Sequence, residues 1–219
     1  MQLETEQTVP QQSHMKSISS SLHTQGLLFV LSAPSGTGKD TVIQTLKEQG
    51  MDFHVVSSVT TRAPRPGESE GNPYHFVSQE TFERMVANNE LLEHARVHGN
   101  WYGQPRQQIR ENLQAGSDVL LKIDVQGAAT VRQKVPEAIF IFLMPGSMEE
   151  LTNRLINRRT ETDNERQRRL TDAQYELAQQ DCYDYVVENR QGHLAEAVAK
   201  VRAIMIAEHC RTVPRYVKL

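Results

Sequence analysis

Short apolar segments alternate with longer segments of mixed apolar and polar character along most of this chain. The apolar segments predict core strands at 27–32, 54–58, 118–124, 138–143 and 183–187. The mixed segments predict helices at 39–49, 128–134, 148–157, 165–179 and 193–208. An alternation of this kind is typical of the α/β class, in which crossover helices cover a parallel sheet.

The alternation is interrupted at two places, and this divides the chain. Between 60 and 105 the elements become shorter, which indicates a lobe inserted into the sheet domain, and 158–165 is a highly charged stretch between two helices, typical of a mobile flap. The first 25 residues are rich in Gln, Ser and Thr, which favours a flexible tail. We therefore expect a tail at 1–25, a domain at 26–208 with its core at 26–59 and 106–208, and a C-terminal tail at 209–219.

Composition narrows the class of protein. A chain of 219 residues can bury a sizeable core. Its net charge of −3 and pI of about 6.2 give no basic field for nucleic acid or an anionic membrane. No apolar run approaches the roughly 20 residues of a membrane span, and the N-terminus lacks the apolar centre of a signal peptide. The two cysteines, Cys182 and Cys210, have no metal-type spacing, so we expect reduced thiols and a cytoplasmic protein.

The most informative segment is 27–41, LLFVLSAPSGTGKDT. An apolar strand is followed by a turn of small residues, then by Gly-Lys and a helical segment, which is the layout of a phosphate-binding loop. Gly36 and Gly38 would let the backbone approach phosphate oxygens closely, and Lys39 would reach the outer ones. Ala33 stands where a glycine is usual, and Asp40 stands where Ser or Thr usually meets magnesium.

Further motifs follow in a fixed order, and together with the loop they carry a resemblance. They are TTRAPRPGE at 60–68, Tyr74, LEHA at 92–95, GNWYG at 99–103 and LKIDVQGA at 121–128. In this order the motifs closely resemble those of the bacterial guanylate kinases, a family of nucleoside monophosphate kinases, and the resemblance covers about 26–208.

The resemblance implies both a fold and an activity. The fold is a P-loop NTPase-type three-layer α/β structure with a central parallel sheet, in which the lobe at 60–105 binds GMP and a lid at about 158–165 closes over ATP. The activity is in-line transfer of the γ-phosphoryl group of ATP to GMP, giving ADP and GDP in purine nucleotide metabolism, with Mg²⁺ as cofactor. ATP and GMP are then the partners, no nucleic acid or membrane is expected, and a homo-oligomer is left open.

The resemblance also implies a GMP site. The phosphate of GMP is a dianion that guanidinium groups hold well through paired hydrogen bonds. Guanine differs from adenine because its N1–H and N2–H₂ groups donate together to one carboxylate. The GMP-binding residues implied are Ser58, Arg62, Arg65, Tyr74, Glu93, Tyr102, Gln104 and Asp124.

On the donor side, the implied residues surround the phosphates of ATP. The ATP-binding set is Ala33, Pro34, Ser35, Gly36, Thr37, Gly38, Lys39, Asp40, Thr41 and Asn189. The catalytic set is Lys39, Arg62, Arg154, Arg158 and Arg169. Arg154 and Arg158 are four residues apart, so they share one helical face, where two cations are unfavourable unless an anion faces them.

The residues that would meet the metal depart most from the family pattern. Asp40 could hold Mg²⁺ directly or through water, since carboxylate oxygen suits this ion, or Thr41 could supply the hydroxyl. Lys122 stands where an acidic residue is common, and it could neutralise phosphate or be a solvated residue at a strand end.

Two other functions stay open at this point. A related kinase of ribose bisphosphate also tends to carry Gly-Lys-Asp in its loop, but it would not require Glu93 or the TTRAPR motif. A catalytically silent module that recognises partner peptides would generally lack the lysine-bearing loop that is present here.

Overall fold

The computed structural model of the protein describes residues 25–97, 99–156 and 163–219, without the side chains of 155–156 and 163–169. The predicted N-terminal tail, except Gln25, and most of the predicted lid lie outside these residues. In chain order the elements are β1 (Leu28–Ser32), α1 (Lys39–Glu48), β2 (His54–Val55), β3 (Ser58–Thr60), β4 (Ser69–Glu70), β5 (Pro73–Phe76), α2 (Gln79–Ala87), β6 (Leu91–Val97), β7 (Asn100–Pro105), α3 (Arg106–Gln114), β8 (Val119–Lys122), α4 (Val125–Lys134), β9 (Ile139–Pro145), α5 (Met148–Ile156), α6 (Asp163–Leu177), a 3₁₀ turn (Gln180–Cys182), β10 (Tyr185–Asn189) and α7 (Leu194–His209).

Five parallel strands form the central sheet in the order β10-β9-β1-β8-β2. Every residue of the middle strand, β1, is buried, as expected where helices cover both faces. Phe29 and Leu31 point into a core shared with α1 and α7, whereas Leu28 and Val30 point into one shared with α3 and α4. The predicted three-layer α/β class is therefore confirmed.

A second sheet, in the order β4-β5-β3-β7-β6, contains both parallel and antiparallel pairs. Helix α2 packs on it through Phe82, whose ring stacks on Trp101 with 5.9 Å between centroids. A Cβ added at Gly103 would lie 2.6 Å from Leu91 Cδ1, so a larger residue there would displace the Leu91 side chain.

The predicted strand at 54–58 is wrong in its second half. The chain leaves the central sheet after Val56, whose N–H still donates to the Leu120 carbonyl over 3.2 Å, and Ser58 begins β3 of the second sheet. Val56 and Val59 are both buried, but in different cores, so the apolar pattern continues across the change of sheet. Helices α2 and α3 were not predicted from the sequence.

Helix α4 begins three residues before its predicted start. Asp124 is its N-cap and accepts a hydrogen bond of 2.9 Å from the Gly127 N–H. A capping carboxylate satisfies an N–H of the first turn that has no partner within the helix.

Among the described residues, no helix is both long and apolar enough to cross a membrane.

The segment 209–219, which we predicted as a tail, packs against the core, and Leu219 contacts the same apolar cluster as Val217. Val217 is buried in the core that α3 and α4 share. Arg215 donates to Glu208 and Asp184 over 3.1 Å each, and also to the Ala138 carbonyl. Glu208 itself is only 1% exposed, and a carboxylate buried to this extent is costly unless a cation such as Arg215 pairs with it.

We therefore predict that Arg215→Met lowers the free energy of unfolding by about 2–3 kcal/mol, because it leaves a buried carboxylate with fewer charged partners. Arg211→Met is the matched control. Arg211 is 45% exposed and lies 3.7 Å from Glu208, so its loss should cost less than about 1 kcal/mol. Urea denaturation measures both values, and equal losses would contradict the role assigned to Arg215.

Candidate functional site

The loop between β1 and α1 has the geometry of an anion site. Gly36 and Gly38 have φ values of 89° and 96°, a left-handed conformation that disfavours other residues. A Cβ at Gly38 would also lie 2.8 Å from the Asn189 Nδ2 atom. Gly38 is the N-cap of α1 and supplies no side-chain cap, so the first backbone N–H groups of the helix are available to phosphate oxygens.

Lys39 lies at the start of α1, and its side chain folds back along the loop. Its Nζ donates to the Ala33 carbonyl over 2.7 Å. Burial lowers the pKa of this lysine, while the nearby carboxylates of Glu176, Asp40 and Asp124 oppose the shift. A phosphate would add negative charge beside this buried ammonium and so favour its charged form.

A cavity of about 270 Å³ lies beside the loop, at the carboxyl end of the central sheet, and the second sheet forms its other wall. Parallel α/β sheets bind ligands at this end. Ten of the predicted site residues line it: Ala33, Ser35, Lys39, Asp40, Ser58, Tyr74, Glu93, Tyr102, Gln104 and Asp124. The donor-side and acceptor-side predictions therefore converge on one space.

One end of this cavity holds a buried carboxyl group, that of Glu93 on β6. Glu93 is 2% exposed, and within the described part of the chain its Oε2 has no hydrogen-bond partner. Burial raises its pKa to about 8, Asp124 adds to the shift, and Lys134 opposes it. A Cβ at Gly127 would lie 2.9 Å from Glu93 Oε2, so glycine at the start of α4 makes room for this group.

Gln104 lies in the same part of the cavity and is also buried. Its Nε2 donates to Ser58 Oγ over 2.6 Å, while its Oε1 is without a partner among the described residues. Two buried oxygens, on Glu93 and Gln104, are thus free to accept hydrogen bonds. Such atoms are costly to bury unless a ligand satisfies them.

The predicted phosphate-binding arginines differ in their surroundings. Arg62 makes two hydrogen bonds to Glu68, of 2.8 and 2.9 Å, and lies 5.4 Å from the ring centroid of Tyr74. These bonds to Glu68 raise the pKa of Arg62. Arg65 is exposed, and its backbone N–H donates to the same Glu68 carboxylate over 2.7 Å. Tyr74 and Tyr102 meet edge to face, with 5.7 Å between ring centroids.

Arg154 and Asn189 are hydrogen-bonded to the backbone of the phosphate loop at Thr37. Arg154 donates to the Thr37 carbonyl over 3.2 Å and to the Asn189 carbonyl over 3.1 Å. Asn189 Nδ2 donates to the same Thr37 oxygen over 2.8 Å. Both residues thus contact the predicted ATP loop, whereas Arg158 and the side chain of Arg169 lie outside the described residues.

Two residues of the site were not assigned a role from the sequence: Glu176, which lines the cavity, and Glu68, which is hydrogen-bonded to Arg62. Lys122, for which the sequence left open phosphate neutralisation or a solvated position at a strand end, also lines the cavity. Burial raises the pKa of Glu176 to about 7, and Lys39 is the main opposing influence. The spacing gave a signal only for Glu68, an acidic residue in the same proline-rich loop as the two arginines.

The donor set for magnesium is small. Among the described residues, no group of three or more His, Cys, Asp or Glu side chains could hold a metal ion. The Asp40 side chain is 82% exposed, and one of its oxygens accepts a hydrogen bond from Lys122. Since Mg²⁺ often takes one or two carboxylates and completes its shell with substrate phosphates and water, the other oxygen of Asp40 fits an ion that arrives with ATP.

Comparisons with known proteins agree with this geometry. The family model described as guanylate kinase matches residues 25–208. The guanylate kinase of Bacillus subtilis (strain 168) is 47% identical over 199 residues, which is 89% of this chain and 97% of that protein. That of Halalkalibacterium halodurans is 47% identical over 187 residues, 85% of this chain and 91% of its own. The crystal structure of guanylate kinase from Anaplasma phagocytophilum superimposes with a TM-score of 0.71 at 38% identity, and covers 87% of this chain and 90% of its own.

The raised pKa of Glu93 predicts how stability depends on pH. The folded protein keeps this carboxyl protonated up to about pH 8, whereas the unfolded chain releases the proton near pH 4.5, so folding takes up a proton between these values. Stability from this group is therefore present below about pH 4.5 and is lost as the pH rises towards 8. Relative to Glu93→Gln, which mimics the neutral acid, the wild type should lose up to about 1.4 kcal/mol per pH unit.

Urea titrations of both proteins between pH 5 and 8 test this prediction. Glu90→Gln, an exposed carboxylate on the same segment, should track the wild type at every pH. A constant difference between wild type and Glu93→Gln across the range would contradict a neutral buried Glu93.

Proposed function

The chain belongs to the guanylate kinase family and phosphorylates GMP with ATP, giving GDP and ADP, and we propose which of its residues carry out this transfer. The observation that supports the assignment most is that Lys39 of the glycine-rich loop and Glu93 line one cavity, and that the buried Glu93 Oε2 has no hydrogen-bond partner in the described part of the chain. One end suits a polyphosphate, and the other suits a base that donates two hydrogen bonds.

We assign guanine recognition to Glu93 and Gln104. The N1–H and N2–H₂ groups of guanine would donate to the Glu93 carboxyl oxygens, and adenine presents no such pair. Hydrogen bonds to the charged form lower a pKa, so binding of guanine would release the proton that Glu93 holds in the free protein. Gln104 and Ser58, which bond to each other, would contact the O6 edge, with Asp124 as a second acceptor for the base.

The phosphate of GMP would lie against Arg62, Arg65, Tyr74 and Tyr102. Arg62 is already oriented by Glu68 and by the Tyr74 ring, which reduces the entropy lost when it binds a phosphate. A phosphate oxygen of GMP would attack the γ-phosphorus of ATP, and the bond from that phosphorus to the β–γ bridging oxygen would break as ADP leaves. Such a transfer depends on alignment and on compensation of charge, with little covalent participation by the protein.

On the ATP side, residues 33–41 would surround the phosphates and Asn189 would lie near the adenine. Lys39 would contact oxygens of the β- and γ-phosphates. Magnesium, when bound with ATP, would neutralise charge on these oxygens, with Asp40 as its protein ligand directly or through water, or with Thr41 in that place. Arg154, Arg158 and Arg169 would approach the phosphates when the predicted lid closes. A cytoplasmic location remains a prediction, and a homo-oligomer stays open.

The first test of this assignment concerns Lys39. Lys39→Met keeps the length of the side chain but removes its charge, so we expect turnover to fall at least about a hundredfold. The affinity for GMP should change little, because the acceptor site lies against the second sheet. Lys47→Met, at the exposed far end of α1, is the control and should be fully active. Turnover near that of the wild type in Lys39→Met would remove this loop from the mechanism.

The second test concerns the choice of acceptor. In a coupled assay of ADP release with GMP, AMP and ribose bisphosphate, the wild type should use GMP. Glu93→Gln replaces one acceptor oxygen with an amide donor, so the preference for GMP over AMP should fall by about 1.5–3 kcal/mol. Glu90→Gln again serves as control, and unchanged discrimination in Glu93→Gln would place guanine recognition elsewhere.

A further inference from the structure

Lys122 is the last residue of β8 and lies beside Leu31 of β1 in the parallel register. Leu31 is two residues before Ala33, where the phosphate loop begins. The side chain of Lys122 therefore enters the same cavity as Lys39, but from the neighbouring strand.

The ammonium of Lys122 lies between the two halves of the site. Its Nζ donates to Asp40 Oδ1 over 2.6 Å, and it lies 5.7 Å from the ring centroid of Tyr74. Asp40 belongs to the first turn of the helix that follows the phosphate loop, whereas Tyr74 belongs to the second sheet. Lys122 thus contacts an element of the proposed ATP site and lies next to a proposed GMP-phosphate ligand.

The ammonium of Lys122 has hydrogen-bond donors to spare. A lysine ammonium has three N–H donors, and the contacts found among the described residues occupy one of them. Lys122 is 20% exposed and Asp40 is 82% exposed, so their ion pair is partly solvated and contributes little to stability.

We propose that Lys122 is a catalytic residue, which contacts the oxygens of the phosphoryl group as it passes from ATP to GMP, and that Asp40 positions it. This inference rests on the proposed function, since it requires ATP and GMP at the two ends of the cavity. Lys122 lines the same cavity as Lys39 and Tyr74, so its remaining donors are within reach of a group in transfer between them. A preorganised cation there stabilises negative charge on the group in transfer.

The proposal also accounts for two departures of this chain from the family pattern, those at Lys122 and Asp40. A lysine in place of the acidic residue adds a positive charge to the cavity, and an aspartate in place of the hydroxyl provides its partner. Lys122 and Asp40 are 82 residues apart in the sequence, but one hydrogen bond joins them in the structure. Asp40 retains a second oxygen, so its contact with Lys122 leaves room for the metal contact proposed above.

The test is steady-state kinetics of Lys122→Met at saturating magnesium. We expect kcat to fall about ten- to a hundredfold, while KM for ATP and for GMP changes less than about threefold, because the contact strengthens only in the transition state. Lys122→Arg should recover part of the activity. Lys47→Met is the control for loss of a lysine and should match the wild type.

The role of Asp40 is tested in the same assay by a double-mutant cycle. At saturating magnesium, Asp40→Asn keeps a side-chain oxygen for the metal but weakens the contact with Lys122, so it should lower kcat less than Lys122→Met does. The double variant should be no slower than Lys122→Met, because the positioning effect of Asp40 is absent once its lysine is gone. Losses that multiply in the double variant would separate Asp40 from Lys122 and contradict the positioning role.

These measurements distinguish failure of the proposed function from failure of the proposal for Lys122. If the wild type does not phosphorylate GMP, the proposed function fails. If it does, and Lys122→Met has an unchanged kcat or only a raised KM for GMP, then Lys122 is not a catalytic residue and the proposal alone fails. If Lys122→Met does not fold, the same kinetics are measured on Lys122→Gln. Thermal melting shows whether each variant is folded.

Discussion

The parallel pairing of β1 with β8 and β9 is the constraint on which the rest of the structure depends. It places β1 at the centre of the sheet with helices on both faces, so this strand is apolar up to its last residue, Ser32, and is followed by a loop of small residues. It also places the ends of β1 and β8 side by side. Lys39, Lys122 and Asp124 therefore reach one edge of the sheet, although more than 80 residues separate the loop from β8 in the sequence.

Charge in the site is arranged around internal partners. Arg62 is held by Glu68, Lys122 by Asp40, and the Lys39 ammonium by a backbone carbonyl. Each of these groups holds its cation in place before the substrates bind. Each can then either give up the cation to a phosphate or share the cation with it. Glu93 is the opposite case, because it is buried next to Asp124 and stays protonated until a suitable donor arrives. The protein thus presents cations to the phosphates of its substrates, and it keeps the buried Glu93 carboxyl neutral until they bind.

Much of this arrangement could be predicted from the sequence, because the relevant signals are local. The loop at 33–38 and the core strands, apart from the second half of 54–58, follow from short patterns, and ten of the residues implied by the resemblance line one cavity. What could not be predicted depends on contacts between distant segments. The change of sheet after Val56 leaves no mark in an apolar pattern that continues on both sides, and the partnership of Lys122 with Asp40 exists only once β8 lies beside β1.

The carbonyl oxygen of Thr37 has a mechanical consequence for the loop that contains it. It accepts hydrogen bonds from Arg154 on α5 and from Asn189 at the end of β10, and the same arginine also bonds to the Asn189 carbonyl. One peptide group thus joins three parts of the chain that are far apart in sequence. Helix α5 leads directly to the predicted lid, so a rotation of that helix must either carry the phosphate loop with it or break these bonds. The shape of the loop and the position of α5 are therefore coupled through a single atom.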